Sequence, residues 1–195
     1  MTDIAKQKAA LRAELRARRL AHAAELAPQA GALVFSRPPG PVLALVPEDV
    51  TVGLYRAEPG EAPATGFAKF FLEHGRHIAL PRVTTLVEPM RFHPHTDPWE
   101  ESDLVEGPFG LHQPTGESPE VVPDVLFMPL VGFTATGERL GQGGGFYDRW
   151  LAAHPDTVAI GMAWDVQEVD TIPTEDHDMP LAAIVTPTRV LGPFR

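Results

Sequence analysis

The apolar positions of this chain fall into one long helical stretch and then a series of short continuous runs, separated by segments rich in Pro, Gly and acidic residues. Residues 3–26 are rich in Ala, Leu, Arg and Glu, a helix-forming composition. At about 100° per residue, Lys8, Arg12, Arg16 and Arg19 share one face, and Ile4, Leu11 and Leu15 lie on the adjoining one. The pattern predicts a helix that packs along its apolar side and carries a basic ridge beside it. On an arbitrary helix such a ridge is a solvated charged face; in a chain acidic elsewhere it is also a candidate binding surface.

The short apolar runs at 50–55, 78–83, 124–131, 158–163 and 182–186 read as strands, with 124–131 the strongest and 90–93 a further one. Residues 64–74 predict a helix ended by Gly75, and 146–154 a second. Residues 37–49 hold four prolines and read as a loop around a short apolar run, and 94–123 as mostly loop. Strands that alternate with helices indicate an α/β domain with a largely parallel sheet. No internal repeat, low-complexity tract or linker divides it, and 195 residues suit one domain.

Net charge of −10 argues against general nucleic-acid or anionic-membrane binding. The absence of cysteine excludes disulfides, thiolate metal sites and cysteine nucleophiles. The opening segment is charged throughout and lacks the apolar core of a signal peptide, and the best apolar run, 125–133, is too short to span a membrane. A cytoplasmic protein is expected.

The richest chemistry lies in "RLGQGGGFYDRWL", residues 139–151. The order is buried strand, loop, glycines, helix. Ligands of open α/β sheets collect at the carboxyl ends of strands, and the start of the following helix presents unpaired N–H groups that suit phosphate. The alternative is a tight turn and nothing more. The Walker pattern fails because Phe146 follows Gly145, and the dinucleotide fingerprint fails at the same residue. Arg139 and Arg149 flank the run as fixed cations, and Asp148 stands where a helix dipole favours a carboxylate and where Mg²⁺ could be held beside phosphates.

Near the other end, Asp176, His177 and Asp178 precede an apolar strand; they read as a polar turn or as half of a metal site completed in space by Asp148. "HPHTD", 93–97, invites a zinc reading, against which stands Pro98 where a second Asp-His pair would begin. Trp99 and Trp164 are core residues or stacking surfaces.

Taken together, "GERLGQGGGFYDRWL", the opening "KAALRAEL", "DVLFMPLVGFTATG" and the closing "GMAWDVQEVDTIPTEDHDMPLAAIVT" resemble, in order, the blocks of the 5-formyltetrahydrofolate cyclo-ligase family, whose signature is close to R-L-G-x-G-x-G-Y-Y-D. Phe146 stands where the signature has a tyrosine and lacks its hydroxyl. The resemblance implies a single three-layer α/β/α domain. It implies an enzyme that uses ATP and Mg²⁺ to convert 5-formyltetrahydrofolate to 5,10-methenyltetrahydrofolate, ADP and phosphate.

By the same resemblance Lys8 and Arg12 would meet ATP. Arg139, Leu140, Gly141, Gln142, Gly143, Gly144, Gly145, Phe146 and Tyr147 would wrap its phosphates. Gln142 to Phe146 would also face the folate, Glu61 would take the pterin's donor edge with Arg56 nearby, and Asp148 and Asp178 would hold Mg²⁺. Lys8 and Arg139 are the candidate catalytic cations. The expected partners are these small molecules alone, on a monomer. A non-catalytic nucleotide- or folate-binding module, or a sugar-phosphate enzyme on a similar scaffold, are the competing readings.

Overall fold

The computed structural model describes residues 3–27, 33–175 and 178–194. The strongest apolar run forms β6 (Val125–Pro129), inside a seven-stranded sheet. Val125 and Phe127 point into one apolar cluster and Leu126 and Met128 into another. Both faces are therefore covered, which is why the run shows no polar alternation.

From β6 the sheet extends two ways. On one side lie β1 (Thr51–Gly53) and β2 (His77–Arg82), both parallel, then antiparallel β3 (Arg91–Pro94). On the other lie β9 (Val158–Met162) and β10 (Ala183–Val185), also parallel, then antiparallel β11 (Val190–Leu191). Chain order runs outward in opposite directions from the β1–β6 pair, so the carboxyl ends of these two strands flank a topological switch point.

Helix α3 (Thr65–Glu73) follows β1 and covers one face through Phe67 and Phe71, whose rings lie 5.6 and 5.7 Å from that of Phe127. Helix α4 (Phe146–Ala153) follows β6 and covers the other, with Trp150 4.9 Å from Phe92. This is the expected three-layer arrangement. Helix α1 (Asp3–Glu25) belongs to neither layer in its first half. Leu15 is fully buried against Val131, Leu140 and Ile172, beyond the carboxyl end of β6. Among the described residues no helix is long and apolar enough to cross a membrane.

The expected strand at 50–55 is shorter, and Leu54 and Tyr55 continue it as buried chain, the Leu54 N–H donating to the Ala79 carbonyl at 2.9 Å. The 37–49 loop contains one turn of helix, α2 (Gly40–Leu43). The segment expected as loop at 94–123 carries a hairpin of β4 (Leu104–Glu106) and β5 (His112–Pro114). Its anchor is the buried side chain of Gln113, which accepts from the Val83 N–H at 3.0 Å and donates to the Val83 carbonyl at 3.2 Å. A polar tertiary contact of this kind leaves no hydropathy signal.

Gly66 gives a test of the α3 packing. In a helix, Gly→Ala ordinarily stabilises by up to about 1 kcal/mol. A Cβ here would stand 2.3 Å from the Phe35 carbonyl oxygen and 2.8 Å from Ser36 Cα, both backbone atoms. Overpacking of that sort costs about 1–3 kcal/mol, so Gly66→Ala is expected to lower the melting temperature by several degrees. An unchanged or higher value would show that the segment holding Phe35 yields freely.

Candidate active site

Beyond β6 the chain makes a two-residue-strand hairpin, β7 (Gly132–Phe133) with β8 (Arg139–Leu140), and then enters the glycine loop. The loop ends at Gly145, which caps α4 in the left-handed region at φ 65°, a conformation cheap only for glycine. The first residues of α4, Phe146 to Asp148, line the same cleft as the loop, together with Pro129 at the end of β6. The helix start and the strand end thus converge where the switch point predicts.

The basic face of α1 closes this cleft from the other side. Lys8 is buried and donates to Glu175 Oε2 and Asp178 Oδ2, both at 2.9 Å. Burial disfavours its charge, but the hydrogen bonds and negative charges of Asp178 and Glu175 outweigh that and hold its pKa above the ordinary lysine value. Arg12 Nε donates to the Gly141 carbonyl at 2.8 Å. Arg16 donates to the Gln142 carbonyl and to its side-chain oxygen, each at 2.8 Å. One turn on, buried Arg19 donates to Glu61 Oε1 at 3.3 Å. The basic ridge is thus no solvated face: its partners are carbonyls and carboxylates far away in sequence, which periodicity alone does not reveal.

Arg139, on β8, is almost wholly enclosed and makes an ion pair with Asp148. Burial lowers its pKa, opposed by the charges of Asp148 and Asp178; a guanidinium remains charged regardless. Lys8, Arg12 and Arg139 therefore face Asp148, Glu175 and Asp178 in one cleft of about 390 Å³.

A second cavity, of about 660 Å³, adjoins the first. Its surroundings are largely apolar, with Leu20, Leu80, Val83 and Met90 among them, and Glu61, Arg19 and Arg56 are its charged groups alongside Glu58. Pro129, Gln142, Phe146 and Tyr147 border both cavities. Gly143, Gly144 and Gly145 line only the polar cleft. The Tyr147 hydroxyl is pushed well above the usual phenol range by burial first and by the charge of Glu61 second.

Glu61 is buried in the wall of the larger cavity, beside Gln142. Its Oε1 accepts from Gln142 Nε2 at 2.8 Å as well as from Arg19, and its Oε2 accepts from the Glu58 N–H at 3.0 Å. Arg56 is exposed, and its Nε donates to Glu101 at 2.8 Å, so it sits on the rim.

Among the described residues no group of three His, Asp or Glu side chains could enclose a metal. The donor set in the polar cleft nonetheless suits a hard ion that keeps waters and phosphate oxygens as most of its ligands. Asp148 and Asp178 both line it, and among the described residues Asp148 spends only Oδ1, on Arg139 and on the Met179 N–H. Asp176 and His177 lie outside the described residues. The zinc reading of 93–97 has no support: His93 Nδ1 pairs with the Ser118 carbonyl at 2.9 Å and His95 Nδ1 with Asp103 at 2.8 Å. Asp97 accepts from Ser102 and neighbouring N–H groups, which hold its carboxyl at about 2. Trp164 is core, its Nε1 donating to the Gly60 carbonyl at 3.0 Å, and Trp99 is half exposed.

Two residues gain a place that no motif gave them. Glu175 shares Lys8 with Asp178, and its signal was only an acid near a suspected metal turn. Arg19 was visible on the basic face but not as the partner of Glu61.

Comparison with known proteins identifies the family. Residues 4–187 match the model of the 5-formyltetrahydrofolate cyclo-ligase family. The 5-formyltetrahydrofolate cyclo-ligase of Escherichia coli (strain K12) is 35% identical over 150 residues, covering 72% of this chain and 79% of that protein. That of Haemophilus influenzae is 31% identical over 144 residues, covering 69% and 74%. The solution structure of Aquifex aeolicus 5,10-methenyltetrahydrofolate synthetase superposes with a TM-score of 0.72 at 26% identity, covering 94% of this chain and 93% of that one. With the family matched over nearly its whole length and the glycine loop, α1 and Glu61 assembled around one pair of cavities, this chain belongs to the 5-formyltetrahydrofolate cyclo-ligase family.

Proposed function

We propose that the protein converts 5-formyltetrahydrofolate to 5,10-methenyltetrahydrofolate at the expense of ATP, releasing ADP and phosphate. One observation carries the reading: a polar, cation-lined cleft under a helix start and a larger apolar cavity share a wall of Gln142, Phe146 and Tyr147. The first suits a triphosphate and the second a pterin. Their shared border is where a phosphoryl group and a formyl oxygen would meet.

The reaction needs little covalent help from the protein. The formyl oxygen on N5 attacks the γ-phosphorus, the bond to the bridging oxygen breaks, and ADP leaves. The carbon is now electrophilic and its oxygen a good leaving group. N10 attacks that carbon, loses its proton, and phosphate departs as the ring closes. Positioning and stabilisation of charge dominate such a sequence. Arg139 and Lys8 are held in place by their carboxylates before substrate arrives, so they meet the developing charge without reorganisation. Arg12 fixes the loop through the Gly141 carbonyl, and the amides of Gly143 to Gly145 and the α4 start cradle the phosphates. Glu61 orients the pterin. Asp148 and Asp178 would hold Mg²⁺ on the phosphate side, where the ion neutralises phosphate charge when bound. The substrates are these small molecules, acted on by a monomeric cytoplasmic enzyme.

An optical assay tests this. Folded protein mixed with 5-formyltetrahydrofolate, ATP and Mg²⁺ is expected to develop the near-ultraviolet absorbance of the methenyl product, and to show none when ATP is omitted. Silence in the complete mixture would leave a binding module as the better reading.

A further inference from the structure

Buried Arg19 is poorly satisfied by the protein around it. Nη1 reaches Glu61 at 3.3 Å, Nε is enclosed with no acceptor, and Nη2 has no acceptor among the described residues. A charged donor left without partners away from water is costly. The guanidinium borders the larger cavity beside Glu61. Glu61 is the complement: of about four lone-pair positions on a carboxylate, Arg19, Gln142 and the Glu58 N–H use three, and the spare one is on Oε2. One end of an apolar cavity therefore offers an acceptor and a charged donor side by side.

We infer that Arg19 selects the 4-oxo form of the pterin ring by donating to its carbonyl oxygen while Glu61 accepts from the neighbouring ring N–H at the spare position on Oε2. This rests on the cavity being the folate site. The pair Arg19–Glu61 matches a lactam edge, where C=O and N–H are adjacent. A 4-amino ring presents a donor to the guanidinium instead and carries no hydrogen on the neighbouring ring nitrogen, so Arg19 meets a donor and Glu61 an acceptor. A site built to bond a particular group discriminates strongly against an analogue that lacks it. Arg19 is thus a specificity residue in contact with substrate as well as a clamp on Glu61.

The experiment measures affinity of the full chain, without ATP, for 5-formyltetrahydrofolate and for its 4-amino-4-deoxy counterpart. The wild type is expected to favour the 4-oxo ligand by roughly 10- to 100-fold, the value of a hydrogen bond to a charged group. In Arg19→Met the 4-oxo ligand weakens by roughly 10-fold or more while the 4-amino ligand changes less than about threefold, so the preference falls by the share that Arg19 supplies and what is left is that of Glu61; Arg19→Lys restores part of it. Equal weakening of both ligands would mean that Arg19 only supports Glu61, and would overturn the inference. So would a wild type that binds both ligands alike, a measurement that stands even where Arg19→Met does not fold. A wild type that binds neither ligand would instead remove the folate reading of the cavity itself.

Discussion

Arg139→Ala is expected to lower turnover by on the order of 10²-fold, about 2.7 kcal/mol of transition-state stabilisation, comparable with the loss of one preorganised donor. The size follows from the setting. Arg139 is on a strand, its side chain is 7% exposed, and Asp148 fixes its guanidinium in the cleft. Enclosure keeps water from substituting for it, and the fixed geometry means that no ordering is needed during reaction. The substitution also strands Asp148. That carboxylate is 27% exposed, so the stability lost stays below the roughly 3–5 kcal/mol of a fully buried broken pair. The check is steady-state turnover at saturating substrates beside a thermal melt. Arg139→Lys should recover only part of the rate, since an ammonium cannot span both Asp148 and a phosphate oxygen as a planar fork does. A rate within a few-fold of wild type in a folded Arg139→Ala protein would remove Arg139 from the mechanism.

Glu61→Gln should act on the other substrate. The side chain keeps its volume but presents one oxygen in place of two and adds a donor facing Arg19. Loss of a charge-assisted pair to the pterin is expected to raise KM for 5-formyltetrahydrofolate by roughly 10- to 100-fold, with KM for ATP within about threefold. Glu61→Ala should do the same and also destabilise the fold, because it leaves Arg19 buried and unpaired. Equal rises in both KM values would indicate that Glu61 props the glycine loop through Gln142 and does not touch folate.

These two variants separate the cavities because each residue sits on its own side of the shared wall. Gln142 is the exception. Its side chain donates to Glu61 and accepts from Arg16, and its carbonyl accepts from Arg16 too. A change there would disturb both substrates at once, and its kinetics would say little about either.

Much of the architecture was readable from residue pattern. The apolar runs at 78–83, 124–131 and 158–163 became β2, β6 and β9 because a strand buried on both faces must be apolar throughout, whatever its neighbours. Helices 64–74 and 146–154 announced themselves by an apolar stripe and a terminating or preceding glycine. The glycine loop was legible as a ligand-facing turn because strand, glycines and helix start follow one another directly. Local order of this kind is encoded within a few residues.

The sequence by itself determined the α/β class, the covered central strand, the position of the glycine loop before its helix and the identity of the cations near it. Only the tertiary structure decided which way the basic face of α1 turned, that Lys8 sits between Glu175 and Asp178, that Arg19 meets Glu61, and that Gln113 pins a hairpin in what reads as loop. The physical reason is range. Backbone preference and hydrophobic period act between near neighbours and are written into short stretches. An ion pair between residues 8 and 178 depends on where two distant elements are carried by the sheet between them, and no local pattern contains that distance.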